Sequence, residues 1–389
     1  MTTTRCDSLS LAWISNLPHR RGGGGSYAVN HGASTALEAH FAVDRRPPIP
    51  IRANRFEAWR SRLSRKIFKR PGSFPVFSES RLLATASAVS ASLRPEHELA
   101  FFKGVTPWGR WKPDRPYAAY TDVVFSTWFA NTFDPGEFRE EDLRRIVAAE
   151  RAFLAGADAI FFESRWGLEE ARRVHDLAGD HFHYAGRGSN LPIPDRDSWD
   201  GESPALVTMA KHFRQKGGDL VRKVYEELKP EFPGLTWHIL GGEPDFDWRS
   251  ASGVRYEGFL DPGVPADLAR MTAILGNAFL LVHPTREDTN PLVITEAATF
   301  GCPAVSVRQF AIPELIEDGE TGVLLDPAFD TSALAETVRA LLSDRDRYRA
   351  MRLRAREFAL PQADWRKVGR RMADVITPLL SLQNPKRAI

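Results

Sequence analysis

Cysteine is nearly absent: Cys6 and Cys302 are the two among 389 residues. That excludes a disulfide framework and any cysteine-rich metal centre. No apolar run approaches the ~18 residues that a membrane-spanning helix needs. The N-terminus lacks the apolar core of a secretory signal, so the expectation is a cytoplasmic chain. Neither sign of charge dominates: 52 Lys and Arg against 50 Asp and Glu leave +2. Such a balance argues against a general nucleic-acid binder. The patterns GxxxxGK[ST], HExxH and GxSxG are all missing. Their absence removes P-loop phosphate transfer, zinc-protease chemistry and the serine-hydrolase elbow.

What is present is an ordinary globular composition, 43% hydrophobic and 26% charged, with length for two or three domains. Residues 9–17 read as an apolar strand running into Gly22-Gly23-Gly24-Gly25 and then a helix to about His40. Strand, glycine loop, helix opens a Rossmann-like domain. The dinucleotide pattern GxGxxG fails from Gly22 at Tyr27, and from Gly23 it ends on Ala28 with Asp44 downstream. That is a weak fingerprint, and a flexible linker is the plain alternative. Further strands are expected at Leu82–Ala86, Leu99–Phe102, Ala118–Phe125 and Ala159–Ser164, with a helix at Glu140–Gly156. Pro192, Pro194 and the acidic run that follows mark a linker near residue 195. Strand–helix alternation resumes from Ala205 and predicts a second parallel sheet wrapped by helices. The tail from Thr331 is helical, with a last helix at Trp365–Leu380.

The stretch from His283 to Asp326 carries the most chemical information. It reads as strand, polar loop, helix, small-residue turn, strand, helix over 311–317, and glycine turn. Asp288 in the loop and Glu296 on the helix are two carboxylates eight residues apart. Pro291 suits a helix start, with Asn290 as the expected N-cap. The amides of Leu292 and Val293 would then point out of the helix end, where the dipole favours an anion. Bare helix amides for phosphate and carboxylates for hydroxyls suit a nucleotide-sugar.

A Pro-Thr, a carboxylate, a second carboxylate eight positions on, Glu-Ala, and Gly-x-Pro-x-Val together resemble the donor-site signature of retaining family 4 glycosyltransferases. Other matches lie upstream in the right order. VTMAKHFRQKGG at Val207–Gly218 aligns Lys211 and Lys216 with the family's two cations. WHILGG at Trp237–Gly242 resembles its strand and glycine pair, and VRYEGFL at Val254–Leu260 places Gly258 and Phe259 where the base is met. The resemblance is specific over residues 204–330. It implies an α/β GT-B fold, two Rossmann-like doubly wound domains facing a central cleft. The expected boundaries are 1–195 for acceptor binding, 196–362 for donor binding, and 363–389 for a C-terminal helix crossing back.

The same resemblance assigns roles. Lys211 and Lys216 would hold the diphosphate, although Lys211 replaces the usual Arg and loses its bidentate fork. Glu296 would accept from the ribose hydroxyls. Asp288, where the family has Glu, would hold a hydroxyl of the transferred sugar. Gly24 and Gly25 would let the backbone approach the sugar-phosphate. Thr289-Asn290-Pro291 replaces Gly-Phe-Gly, which opens the sugar identity. The family's N-domain His is missing, and Asp122 is the candidate in its place. Each residue has a plainer reading: exposed charges for the lysines, an ordinary helix acid for Glu296, a loop cap for Asp288, a structural role for Asp122.

The implied activity is transfer of a sugar from a nucleoside-diphosphate sugar to a hydroxyl of a glycan or lipid-linked acceptor, with retention, without a metal and without a cofactor. The alternatives are a non-catalytic nucleotide-sugar-binding protein of the same fold, or a nucleotide-sugar epimerase or hydrolase. Three Asp-x-Asp pairs, at 195/197, 245/247 and 344/346, are too cheap a pattern to indicate a metal. His181-x-His183 lacks a third ligand and reads as a strand pair. Between Arg45 and Arg70 ten Lys or Arg face one acid, Glu57, while Phe56, Trp59, Leu63 and Ile67 recur at helical spacing. Such a helix either packs its stripe into its own domain or lies peripherally on an anionic membrane, here the inner face.

Overall fold

The short apolar runs separated by Gly and Pro form two six-stranded, wholly parallel sheets among residues 9–383, the part described by this computed structural model. The chain makes two compact units. One takes residues up to Arg20, Val29–Arg187 and those from Trp365 on; the other takes Arg21–Ala28 and Gly188–Asp364.

The first unit holds β1 (Ser10–Ile14), β2 (Ala42–Arg45), β3 (Leu99–Lys103), β4 (Tyr117–Thr121), β5 (Ala159–Phe162) and β6 (Phe182–Tyr184), in the order β2-β1-β3-β4-β5-β6. Its helices are α1 (Gly25–Leu37), α2 (Arg55–Lys66), α3 (Glu79–Ser92), α4 (Phe125–Thr132), α5 (Glu140–Gly156) and α6 (Arg165–His175). The central strands are buried on both faces, as in YAAYT of β4 and AIFF of β5. This is why they read as continuous apolar runs and not as alternation. Trp13 in β1 is fully buried, stacks on Phe101 at 4.9 Å, and donates its indole N–H to Asn30 Oδ1 at 2.9 Å.

A buried carboxylate organises one end of this unit. Glu150 on α5 accepts from the Phe125 N–H, the first amide of α4, at 3.0 Å to each oxygen. It also accepts from Thr106 Oγ1 at 2.5 Å and pairs with His175 Nε2 at 3.0 Å. Nothing in α4's own sequence caps that helix, so the acid arrives from another element.

The second unit holds β7 (Ala205–Ala210), α7 (Gly218–Leu228), β8 (Thr236–Gly241), β9 (Val254–Gly258), α8 (Pro265–Gly276), β10 (Leu280–Val282), α9 (Leu292–Thr299), β11 (Ala304–Val307), β12 (Gly322–Leu325), α10 (Thr331–Ser343) and α11 (Arg345–Ala359). The strand order is β12-β11-β10-β7-β8-β9. The chain starts at β7, fills one side through β9, then returns to β10 and fills the other. β7 and β10 therefore flank the topological switch point, where ligands bind at the carboxyl ends of such sheets. Arg352 is buried on α11 and makes a bidentate pair with Asp197, 2.6 Å for each oxygen, while donating to the Ala278 and Phe300 carbonyls. The last helix, α12 (Trp365–Gln383), belongs to the first unit. Gly32 on α1 and Gly369 on α12 allow close packing there: a Cβ at Gly32 would meet Trp365 at 2.3 Å, and one at Gly369 the Ala36 carbonyl at 2.4 Å.

Several local expectations are corrected. Leu82–Ala86 is not a strand; it lies inside α3, whose buried positions Leu82, Thr85 and Val89 have helical spacing. The strand from Ala118 stops at Thr121, and Phe125 already opens α4. The helix expected over 311–317 is a single 3-10 turn, Ile312–Glu314. The edge strands β2 and β12 were not anticipated, being short. The apolar stripe of α2 does not pack into its domain: Phe56 and Trp59 are 63% and 57% exposed. Cys302 is a buried free thiol, its pKa pushed up to about 12 by burial. Cys6 lies outside the described residues.

Candidate functional site

The loop after β7 and the loop after β10 meet at the switch point, and glycine makes the approach possible. Gly217, the N-cap of α7, has φ +81°, and a Cβ there would stand 2.3 Å from the Pro284 carbonyl oxygen. The glycine pair ending β8 acts alike. A Cβ at Gly241 would lie 2.2 Å from the Ala210 carbonyl oxygen, and one at Gly242 2.3 Å from that of Lys211. Side chains at these positions would push the 211–217 loop away.

That closeness joins two residues which the sequence separates widely. Lys216 Nζ stands 2.6 Å from Asp288 Oδ2, with both side chains about a quarter exposed. His283 Nε2 lies 3.5 Å from the same oxygen, and the ring is buried. Burial opposes ionisation of Asp288, but the His283 ring and the Lys216 ammonium outweigh it and hold the carboxyl well below the usual carboxylate range. Thr285 Oγ1 accepts from the Glu287 and Asp288 amides at 3.3 and 3.0 Å, which shapes the turn. Arg286 ties the two loops together. Its guanidinium grips both Asp219 oxygens at 2.9 and 3.0 Å and donates to the Arg214 carbonyl. Asp219 is held below its ordinary value: burial raises it, and Arg286 more than compensates.

A cavity of about 190 Å³ is formed entirely within the second unit, and neither Lys216 nor Asp288 is in its lining. Its lining brings together Gly24, Gly25, Lys211, Phe259, Leu292, Val293 and Glu296. Added side chains at Gly24, Gly25 or Gly258 would meet open space, and Gly24 and Gly258 have φ of +107° and +74°. The glycine loop is held by Asp261, whose Oδ1 accepts from the Gly23 and Gly263 amides at 3.1 and 2.9 Å. Phe259 is half exposed at the rim. Glu296 is buried, and its Oε1 accepts from the Asn190 amide at 3.2 Å.

Helix α9 starts one residue later than expected. Pro291, not Asn290, is the N-cap, with φ −71° and ψ 108° and no side-chain cap bond. Asn290 sits one position earlier and is buried. The correction keeps Leu292 and Val293 in the first turn, whose amides have no carbonyl one turn back to receive them. Neither Asn290 nor Pro291 lines the cavity, and Asp122 stands in the first unit just past the end of β4.

Among the described residues no three His, Cys, Asp or Glu side chains cluster as a metal site. The Asp-x-Asp pairs have structural partners: Asp197 holds Arg352, Asp245 pairs with Arg214, and Asp344 caps α11. Sequence reasoning missed His283, Thr285, Arg286, Asp219 and Asp261. Thr285 figures in the signature only as part of its Pro-Thr, and it and His283 act within their own loop, whereas Arg286, Asp219 and Asp261 act on segments distant in the chain.

Residues 193–358 match the family described as glycosyl transferases group 1. That segment is similar to group 1 glycosyltransferases. Its sheet, with the strand order given above, is the second of the two Rossmann-like units of the GT-B fold. A GDP-mannose-dependent alpha-(1-6)-phosphatidylinositol monomannoside mannosyltransferase of Mycolicibacterium smegmatis is 31% identical over 186 residues, covering 46% of this chain and 48% of that protein. The chain thus spans about half the length of this relative. Sucrose-phosphate synthase from Thermosynechococcus elongatus superposes with a TM-score of 0.72 at 17% identity, covering 96% of this chain and 100% of that one. WaaG, a glycosyltransferase involved in lipopolysaccharide biosynthesis, gives 0.65 at 14% identity over 94% and 99%. At such identities these two establish the fold alone. The matched segment includes the Lys216–Asp288 pair, α9 and the cavity lining from Met209 to Glu296, while Gly24, Gly25, Ala28, Asn190 and Leu191 lie outside it.

No helix among the described residues is long and apolar enough to cross a membrane.

Proposed function

We propose that the chain is a retaining, metal-independent glycosyltransferase that moves a sugar from a nucleoside-diphosphate sugar to a hydroxyl of a glycan or lipid-linked acceptor. The observation that carries this reading is the cavity at the switch point, lined by Lys211, the start of α9 and Glu296, with the Lys216–Asp288 pair on the loops that follow β7 and β10.

Each part has a task in the reaction. As the bond from the sugar's anomeric carbon to phosphate oxygen breaks, charge collects on the diphosphate. Lys211, Lys216 and the amides of Leu292 and Val293 are fixed positive groups that would meet it. Because they supply the positive charge, the departing diphosphate needs no metal ion. Glu296, which lines the cavity, would accept from the ribose hydroxyls. Gly258 and Phe259 would border the base, and Gly24 and Gly25 would let a backbone loop lie against the sugar-phosphate. Asn290 and Pro291 set the entry to α9. Asp288 would trade its contact with Lys216 for a hydroxyl of the sugar. Asp122 in the first unit is the candidate for a sugar or acceptor hydroxyl. In a retaining transfer the acceptor's proton passes to the departing phosphate oxygen on the same face as the new bond.

The donor and acceptor of the Mycolicibacterium smegmatis relative support GDP-mannose as the first donor to try and a phosphatidylinositol-linked glycan as the first acceptor. A cytoplasmic site on the inner face of the membrane is the location this reading favours. The test is calorimetric and thermal-shift binding of UDP, GDP, ADP and their sugars, each with and without EDTA. One nucleotide should bind with an affinity that EDTA leaves unchanged. Binding of none would overturn the donor-site reading, and binding without transfer or hydrolysis would favour a non-catalytic protein.

A further inference from the structure

Helix α2 is amphipathic in the wrong direction for a core helix. Phe56, Trp59, Leu63 and Ile67 share one face at three- and four-residue spacing, and the face turned inward is instead polar. The buried residue of α2 is Ser61, whose hydroxyl donates to the Ser73 carbonyl at 2.6 Å. Arg65, also turned inward, stacks 4.7 Å over Phe138 and pairs with Glu137. Asn54 caps the helix through the Phe56 amide at 2.9 Å. The helix is thus anchored by hydrogen bonds and an ion pair, while its aromatic face looks out. Phe56, Trp59, Ile67 and Phe68 are 63%, 57%, 67% and 61% exposed.

Cations outnumber acids around this face, where Glu57 is the one acid of the helix. Arg55, Arg60, Arg62, Lys66, Lys69 and Arg70 are all exposed, and none forms an ion pair among the described residues. Phe56 and Trp59 stack at 6.1 Å, with the Arg60 guanidinium 5.8 Å above the Phe56 ring. An open groove of about 600 Å³ runs alongside, bordered by Phe56, Trp59, Phe68 and Arg139, with Glu57, Glu79 and Asp142 also in its lining. A cluster of exposed aromatic rings is unfavourable in water. Rings within a ring of unpaired cations match a surface that is apolar just beneath an anionic layer.

We propose that α2 and the turn after it, through Arg70, are a docking site for an anionic lipid bilayer. The helix lies in the interface plane, with Phe56, Trp59, Ile67 and Phe68 among the acyl chains and the flanking cations on the phosphates. The proposal goes beyond sugar transfer and does not depend on it, since it rests on the first unit alone.

The experiment is co-sedimentation of the full chain with vesicles of phosphatidylcholine, and of phosphatidylcholine mixed with phosphatidylglycerol. The expected result is binding to the mixed vesicles at low salt, release at high salt, and little binding to phosphatidylcholine alone. The double variant F56S/W59S should lower the partition coefficient roughly tenfold or more. The variant R60E/R62E should abolish binding to the anionic vesicles. Both should melt at the wild-type temperature, because the altered side chains are exposed. Equal sedimentation of the wild type and F56S/W59S would overturn the proposal. So would a lipid-free dimer, seen by ultracentrifugation and lost in F56S/W59S, which would assign the face to a second copy of the chain.

Discussion

Lys216 Nζ stands 2.6 Å from Asp288 Oδ2, so the cation proposed to hold a diphosphate and the carboxylate proposed to hold a sugar are paired with each other. The pair keeps Lys216 in place and keeps a half-buried charge compensated. A donor would displace both partners together, since its phosphate takes the ammonium and its sugar hydroxyl takes the carboxylate.

Replacing Lys216 with Ala removes a charge-assisted contact of about 1.5–3 kcal/mol. The transfer rate should fall by roughly ten- to a hundredfold or more, checked by steady-state assay with the nucleotide-sugar found in the binding screen. A wild-type rate would show that Lys216 meets no developing charge.

Glu296→Ala should weaken nucleotide binding about tenfold or more, the scale of one lost charged hydrogen bond. Calorimetry with the free nucleotide measures this without need of an acceptor. Glu296 also accepts from the Asn190 amide, so Glu296→Gln, which keeps that acceptor, separates ribose recognition from local support.

Arg286 does not line the cavity, yet its bidentate grip on Asp219 holds the loop of Lys216 to the loop of Asp288. Arg286→Ala should lower kcat more than it raises KM, as expected for lost positioning. A double-mutant cycle with Asp219→Ala should give a coupling energy of about 0.5 kcal/mol or more. Full additivity would mean that the clamp is ornamental.

The stability contribution of Asp288 should depend on pH with a definite sign. Its folded-state pKa is lowered, so the contribution is complete above the unfolded value of about 3.9 and is lost as pH falls below it. Melting temperatures of wild type and Asp288→Asn should differ at pH 6, and the gap should close as the solution is acidified past about pH 4. A constant gap down to pH 3 would rule out ionisation as its source.

In the first unit, Glu150→Ala leaves the α4 end, Thr106 and His175 without their common partner. The expected cost is about 3–5 kcal/mol, the scale of breaking a buried charged pair, read as a drop in the denaturant midpoint with an unchanged slope.

Much of the second unit was legible in advance. Its strands are short apolar runs closed by Gly or Pro, and its glycines stand where two loops must touch, as Gly217 does against Pro284. The first unit was harder. Leu82–Ala86 is apolar enough for a strand, but the small residues around it pack at helical spacing. The expected helix at 311–317 shortens to one 3-10 turn, with Pro313 inside it lacking an N–H for a longer one. For α2, periodicity located the apolar stripe but had no power to say which way the stripe faces. Ser61 and Arg65 decided that, through bonds to Ser73 and Glu137.

Residue type and local spacing alone determined the alternation of strand and helix, the glycine loop, and the carboxylates and lysines of the second unit, because those depend on neighbours in the chain. The tertiary structure alone decided that Lys216 meets Asp288, that His283 and Arg286 support them, that Asp261 holds the glycine loop, and that an aromatic face stays in solvent. Lys216 with Asp288, Arg286 with Asp219, and Asp261 with Gly23 are contacts between distant segments. Their existence depends on the strand order that places β10 beside β7 and on the burial that makes a paired charge worth holding.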